Sequence, residues 1–135
     1  MLENLKKNFI QFPLRSGEVL CKESDKSADG YIVLDGIIEL TKANSKRFRE
    51  VTMGEVFGVW EAIFQTNKRF FTATCTTDAT VLIIPAKVLR QKVENADPFL
   101  SYCFRQWLVL EESFHSIEEP PKIEIMRKVN PTKFI

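Results

Sequence analysis

A chain of 135 residues, 44% hydrophobic and 27% charged, has the size and apolar content of one compact domain, with no room for a second. Nineteen basic residues against eighteen acidic ones leave a formal charge of +1, so no global field draws it to nucleic acid, anionic membrane or polyacidic substrate. With His115 as its one histidine, multi-histidine metal centres and most histidine acid–base relays lack their partners.

In chain order, Met1 to Gln11 carries Lys6 and Lys7 but not the continuous apolar stretch of a secretory signal. No segment approaches a membrane span in length, and the expectation is a cytoplasmic protein. Cys21, Cys75 and Cys103 are scattered among apolar or β-branched neighbours, and free buried thiols are expected rather than disulfides or zinc ligands.

Every glycine (Gly17, Gly30, Gly36, Gly54 and Gly58) falls before residue 59, between short β-rich runs. Asp35-Gly36 lies between Tyr31–Leu34 and Ile37–Leu40 and predicts a hairpin with a tight turn. Ala43–Lys46 is a second turn, followed by β-prone runs at 48–53, 70–76 and 79–84. Several short strands at this spacing imply a sandwich or barrel. In one of them Phe71, Ala73 and Cys75 alternate with Phe70, Thr72, Thr74 and Thr76, which sets a packed face against a threonine face.

The pattern changes at Pro85, which is suited to a first helical position. A short helix over 86–96 is expected, ended by Asp97-Pro98, with Asp97 free to cap the next. In that second helix, about 98–118, Leu100, Cys103, Trp107, Leu110, Phe114 and Ile117 repeat in steps of three and four, and Phe104 and Leu108 widen the apolar surface. Two apolar stripes exceed what covering a sheet requires, which predicts a homodimer through this seam; the alternative is that both stripes pack within the monomer. Glu118–Pro121 stops the helix, and the tail 122–135, with four basic residues and one acidic, is too short for a helix-turn-helix. Direct DNA reading is therefore not expected. Nor is an enzyme: the chain has no Gly-x-Ser-x-Gly elbow, no Cys-x-x-Cys and no phosphate loop, and Glu111-Glu112 and Glu118-Glu119 are adjacent pairs that cannot converge on a substrate.

Taken together, Gly17–Leu20, Gly30–Gly36, Gly54–Gly58, Thr72–Thr74 and the helix after Pro85 resemble the landmarks of cyclic-nucleotide-binding domains, familiar from catabolite activator proteins and kinase regulatory subunits. The resemblance implies a mainly β fold, an eight-stranded, cupin-like jelly roll (about 9–85) with an N-terminal helix and C-terminal helices (about 86–118), in a domain 1–119 followed by a tail 120–135. It also implies a phosphate-binding cassette over 54–74, in which a short helix offers backbone N–H groups to the phosphate. The family places a glutamate directly after its Phe-Gly pair for the ribose, and an arginine two residues before the strand's alanine for the phosphate.

Here Val59 follows Phe57-Gly58, and Phe71 stands two before Ala73. Glu61 lies two positions beyond Val59, and Arg69 two before Phe71. An even offset keeps a side chain on the same strand face, so Arg69 could reach the pocket from about 7 Å away; otherwise it is a solvent-facing arginine and Glu61 a surface carboxylate. Trp60, Phe64, Phe70 and Phe71 either fill the cavity or line it, with Thr72 and Thr74 at its edge. The expected ligand set is thus Phe57, Gly58, Val59, Glu61, Arg69, Phe71, Thr72 and Ala73, for a cyclic nucleotide or another small anion, with no catalytic residue, metal or cofactor. Three functions remain: a sensor with an atypical pocket, a cyclic AMP or cyclic GMP sensor using Arg69 and Glu61 as shifted ligands, and a ligand-free dimerisation domain.

Overall fold

In a computed structural model, residues 2–26, 28–43, 48–66 and 68–115 are described, without the side chains of 48 and 111–115. The chain forms two compact units, Met1–Arg90 and Gln91–Ile135. The first begins with helix α1 (Leu2–Asn8) and holds strands β1 (Ile10–Leu14), β2 (Val19–Cys21), β3 (Gly30–Asp35), β4 (Ile38–Thr41), β5 (Phe48–Val51), β6 (Val56–Phe57), β7 (Thr72–Cys75) and β8 (Ala79–Ile84), with helix α2 (Val59–Ile63) between β6 and β7. It ends in the first half of α3 (Ala86–Glu94). The second holds the rest of α3 and α4 (Pro98–His115).

The fold is mainly β: the strands form two four-stranded sheets, ordered β1-β8-β3-β6 and β2-β7-β4-β5, with every pairing antiparallel. The short links β1–β2, β3–β4, β5–β6 and β7–β8 each carry the chain from one sheet to the other. The predicted Asp35-Gly36 hairpin is therefore a turn but not a hairpin. Both hydrogen-bonding edges of β3 are taken, by β8 and β6, so β4 has nowhere to pair beside it and leaves for the second sheet. A register break between Val33 and Asp35 bends the strand, and Gly36 makes the corner at φ +86° with Ala79 so close that a Cβ would stand 2.7 Å from its Cα. The neighbouring corner at 76–78 ties back to it: Thr76 N donates to Ile37 O at 3.0 Å, and Ile37 N to Thr77 Oγ1 at 3.0 Å. The hairpin with in-register pairing is β4–β5, from Ile38 opposite Val51 to Thr41 opposite Phe48; most of its predicted turn lies outside the described residues.

Alternation decides which faces meet. Ile38 and Leu40 on β4, and Phe71, Ala73 and Cys75 on and beside β7, are buried, while Thr72 and Thr74 are half-buried, as the threonine pattern predicts. Val33, Val81, Tyr31 and Phe57 answer from the first sheet, so the core of this unit is a layer of aliphatic and aromatic side chains. Cys21 and Cys75 are buried free thiols and Cys103 is half-buried.

Pro85 lies just before α3 rather than in it; its carbonyl accepts from Leu89 N at 2.9 Å. Asp97 caps α4 as expected, its Oδ1 accepting from Phe99 N at 2.9 Å. Along the predicted seam of α4, Leu100, Trp107 and Leu110 are exposed and Cys103 half-buried, while the side chain of Phe114 and all of Ile117 lie outside the described residues, as do 116–135 and the expected tail. No helix among the described residues is long and apolar enough to cross a membrane.

Candidate functional site

The candidate site forms where β6 ends, α2 begins, and the chain runs from α2 into β7. Phe57 closes β6 against Tyr31, the rings stacked at 5.1 Å. Gly58 then turns the chain at φ +80° into α2, whose N-terminus no side chain caps. A Cβ on Gly58 would meet Arg69 Nη1 at 2.8 Å, Asp29 O at 2.9 Å and the Tyr31 ring at 3.2 Å. Glycine is needed here both for the left-handed turn and for the space taken by an arginine.

That arginine is the centre of the site. Arg69 precedes β7, held by its backbone: Arg69 N donates to Asp25 O at 2.8 Å, and Ser24 N to Arg69 O at 2.9 Å. Its side chain points inward, in step with Phe71, Ala73 and Cys75, and the residue is 1% exposed. The reading of Arg69 as solvent-facing is thereby excluded; because 69–71 precede β7, strand alternation does not itself place the side chain, which the fold turns inward. Nη1 donates to Gly58 O at 2.9 Å and to Glu61 Oε2 at 3.1 Å; Nη2 donates to Asp29 O. The guanidinium carbon lies 5.3 Å from the centre of the Tyr31 ring and 5.6 Å from that of Phe71. Glu61, the third residue of α2, is 0% exposed, which excludes a surface carboxylate.

The fold thus brings Gly58, Glu61, Arg69, Phe57 and Phe71 together, with Phe57 and Phe71 edge to face at 6.1 Å. Val59 opens α2 half-buried, and Ala73 is buried on β7 opposite Leu40. Thr72 is not brought in: its Oγ1 accepts from Glu23 N at 3.0 Å on the other face. Of the crowded rings, Phe71 alone is fully buried; Trp60, Phe64 and Phe70 are half-buried and form their own cluster, with centroids 4.7 and 5.2 Å apart.

Sequence reasoning missed Asp29, Tyr31 and Cys21. Asp29 serves through its main-chain carbonyl, which no side-chain pattern reveals; the aromatic Tyr31 at the start of an apolar strand reads as core. Burial pushes the Cys21 thiol up to about 11, with Arg69 opposing and Glu61 and Asp25 adding to the rise. Burial also pulls the Lys42 ammonium below its ordinary range, with Glu23 and Glu61 opposing. Among the described residues no three His, Cys, Asp or Glu side chains group as metal ligands.

Chemically, a buried planar fork of N–H donors is suited to an anionic oxygen pair, and a carboxylate beside it to a hydroxyl. In this geometry each already serves the other. The sequence profile of the cyclic nucleotide-binding domain matches residues 11–96, which takes in both sheets and the whole of this site.

The chain belongs to the cyclic nucleotide-binding domain family.

Solved structures similar to this cyclic nucleotide-binding domain include the EAL enzyme Bd1971 in its cGMP-bound form, 20% identical over 79% of this chain with a TM-score of 0.67. The present chain spans 30% of that enzyme's length. The sensor domain of the transcriptional regulator DNR from Pseudomonas aeruginosa is 13% identical, at a TM-score of 0.69 over 87% of this chain and 81% of that one. A cyclic nucleotide-binding-like protein from Brucella abortus is 25% identical, at a TM-score of 0.55 over 70% and 83%. No curated protein matches the chain.

Proposed function

We propose that the chain is a non-catalytic, ligand-responsive regulatory module, a jelly roll whose atypical pocket holds Arg69 and Glu61 as the ligands of a cyclic nucleotide. The observation that carries this reading is the pair itself: two opposite charges, both fully buried, 3.1 Å apart beside the Gly58 turn. A buried ion pair contributes little net stability, because taking two charges out of water costs about what their attraction returns, and hydrophobic residues of similar volume would serve a core as well. The pocket is atypical because the guanidinium already donates within the protein: a phosphate must draw it away from Glu61, Gly58 O and Asp29 O, at a cost in affinity. The EAL enzyme Bd1971 has a cGMP-bound and a cAMP-bound form, which makes these two nucleotides the first ligands to try. Calorimetric titration of the full chain with each should give saturable heat that the double substitution Glu61→Gln/Arg69→Met abolishes. No heat and no thermal stabilisation at millimolar concentrations of either nucleotide sinks the reading.

A second reading is favoured by α4, where Leu100, Trp107 and Leu110 stand exposed on the predicted seam. There the module is a cytoplasmic homodimer, with or without a ligand. Sedimentation should then give a dimer that Trp107→Ala weakens at least tenfold; a monomer at high concentration refutes it.

A further inference from the structure

The α3 helix starts with an N–H that its own turn cannot satisfy, and the partner it finds comes from 57 positions away. Asp29 Oδ1 accepts from Ala86 N at 3.0 Å, while the main-chain carbonyl of the same residue accepts from Arg69 Nη2. One residue thus holds the site arginine with its backbone and the start of α3 with its side chain. The next residue tightens the junction: Gly30 pairs with Ile84 at the end of β8, and a Cβ on it would meet Leu89 Cδ1 at 2.7 Å and Val59 Cγ2 at 3.1 Å. Gly30 is wedged between the first residue of α2 and the first turn of α3, so a shift of Asp29 has little slack in which to be absorbed.

We propose that Asp29 is a positioning residue that couples the state of Arg69 to the first turn of α3. While the guanidinium stays on Asp29 O, the peptide is held and the carboxylate caps Ala86. When the guanidinium leaves, that anchor is lost and the cap loosens. The sense of the ligand effect rests on the reading of Arg69 as a phosphate ligand; the coupling itself does not. Because coupling is reciprocal, weakening the cap must ease the release of Arg69 and so favour ligand.

Hydrogen exchange at the Ala86 amide reads the cap directly, with Leu82 in β8 as the measure of global opening. In the Glu61→Gln/Arg69→Met chain, which removes the guanidinium without stranding a buried charge, Ala86 exchange should rise at least fivefold relative to Leu82. Equal exchange in this chain and the wild type overturns the coupling, whether or not a nucleotide binds. Saturating cyclic GMP should produce the same rise in the wild type. If cyclic GMP does not bind while the double substitution still loosens Ala86, the ligand reading fails and the coupling stands. Asp29→Ala should tighten cyclic GMP binding up to about fivefold and remove the ligand dependence at Ala86, while Asp29→Asn, which keeps an acceptor, restores both. An Asp29→Ala chain that binds no tighter and keeps the ligand-dependent rise overturns the proposal.

Discussion

Arg69 and Glu61 are buried against each other, 3.1 Å apart. Arg69→Met alone leaves a carboxylate buried without its cation and should cost about 3–5 kcal/mol in urea denaturation. Adding Glu61→Gln should recover at least about 2 kcal/mol of that loss; additive losses would mean the two side chains do not act as a pair. At Gly58 the left-handed turn and the guanidinium leave no place for a methyl group. Gly58→Ala should therefore destabilise the chain by about 1–2 kcal/mol from backbone strain, and remove nucleotide binding by displacing Arg69. A Gly58→Ala chain with wild-type stability would contradict the close approach.

Cys21 gives the site a signature at high pH. Its folded-state value of about 11 lies above the 9.0 of an unperturbed thiol, so between these values the unfolded chain loses a proton that the folded chain keeps. The contribution is whole below about pH 9 and is lost as pH rises through 11, about 2–3 kcal/mol in all. Cys21→Ala should flatten the fall in stability between pH 8.5 and 10.5; an unchanged slope would place the alkaline sensitivity elsewhere.

At the scale of elements, what the sequence discloses depends on whether the deciding contact is local. The Thr72–Cys75 alternation, the helix after Pro85 and the cap at Asp97 each follow from neighbours in the chain and were legible. Asp97→Ala should cost about 1 kcal/mol, seen as a lower denaturation midpoint, and no loss would mean that the cap is solvated. The Asp35-Gly36 turn was legible as a turn, whereas its role as a corner between sheets depends on β8 and β6 occupying both edges of β3, and both are placed by residues far along the chain. The site followed the same division. Arg69 and Glu61 could be named as shifted candidates; that Arg69, ahead of β7, turns inward, that the two bond to each other, and that a carbonyl from Asp29 completes the cradle, required the fold.

For the whole molecule, the two sheets and α2 enclose a buried charge pair within the region that matches the cyclic nucleotide-binding domain. On the proposed function, Arg69 exchanges protein acceptors for a ligand phosphate. Selective 15N labelling of arginine side chains, followed during a cyclic GMP titration, tests it most directly. The account predicts that the Arg69 guanidinium resonances move with saturation while those of Arg15 hold their positions. Binding that saturates with Arg69 unmoved would contradict it.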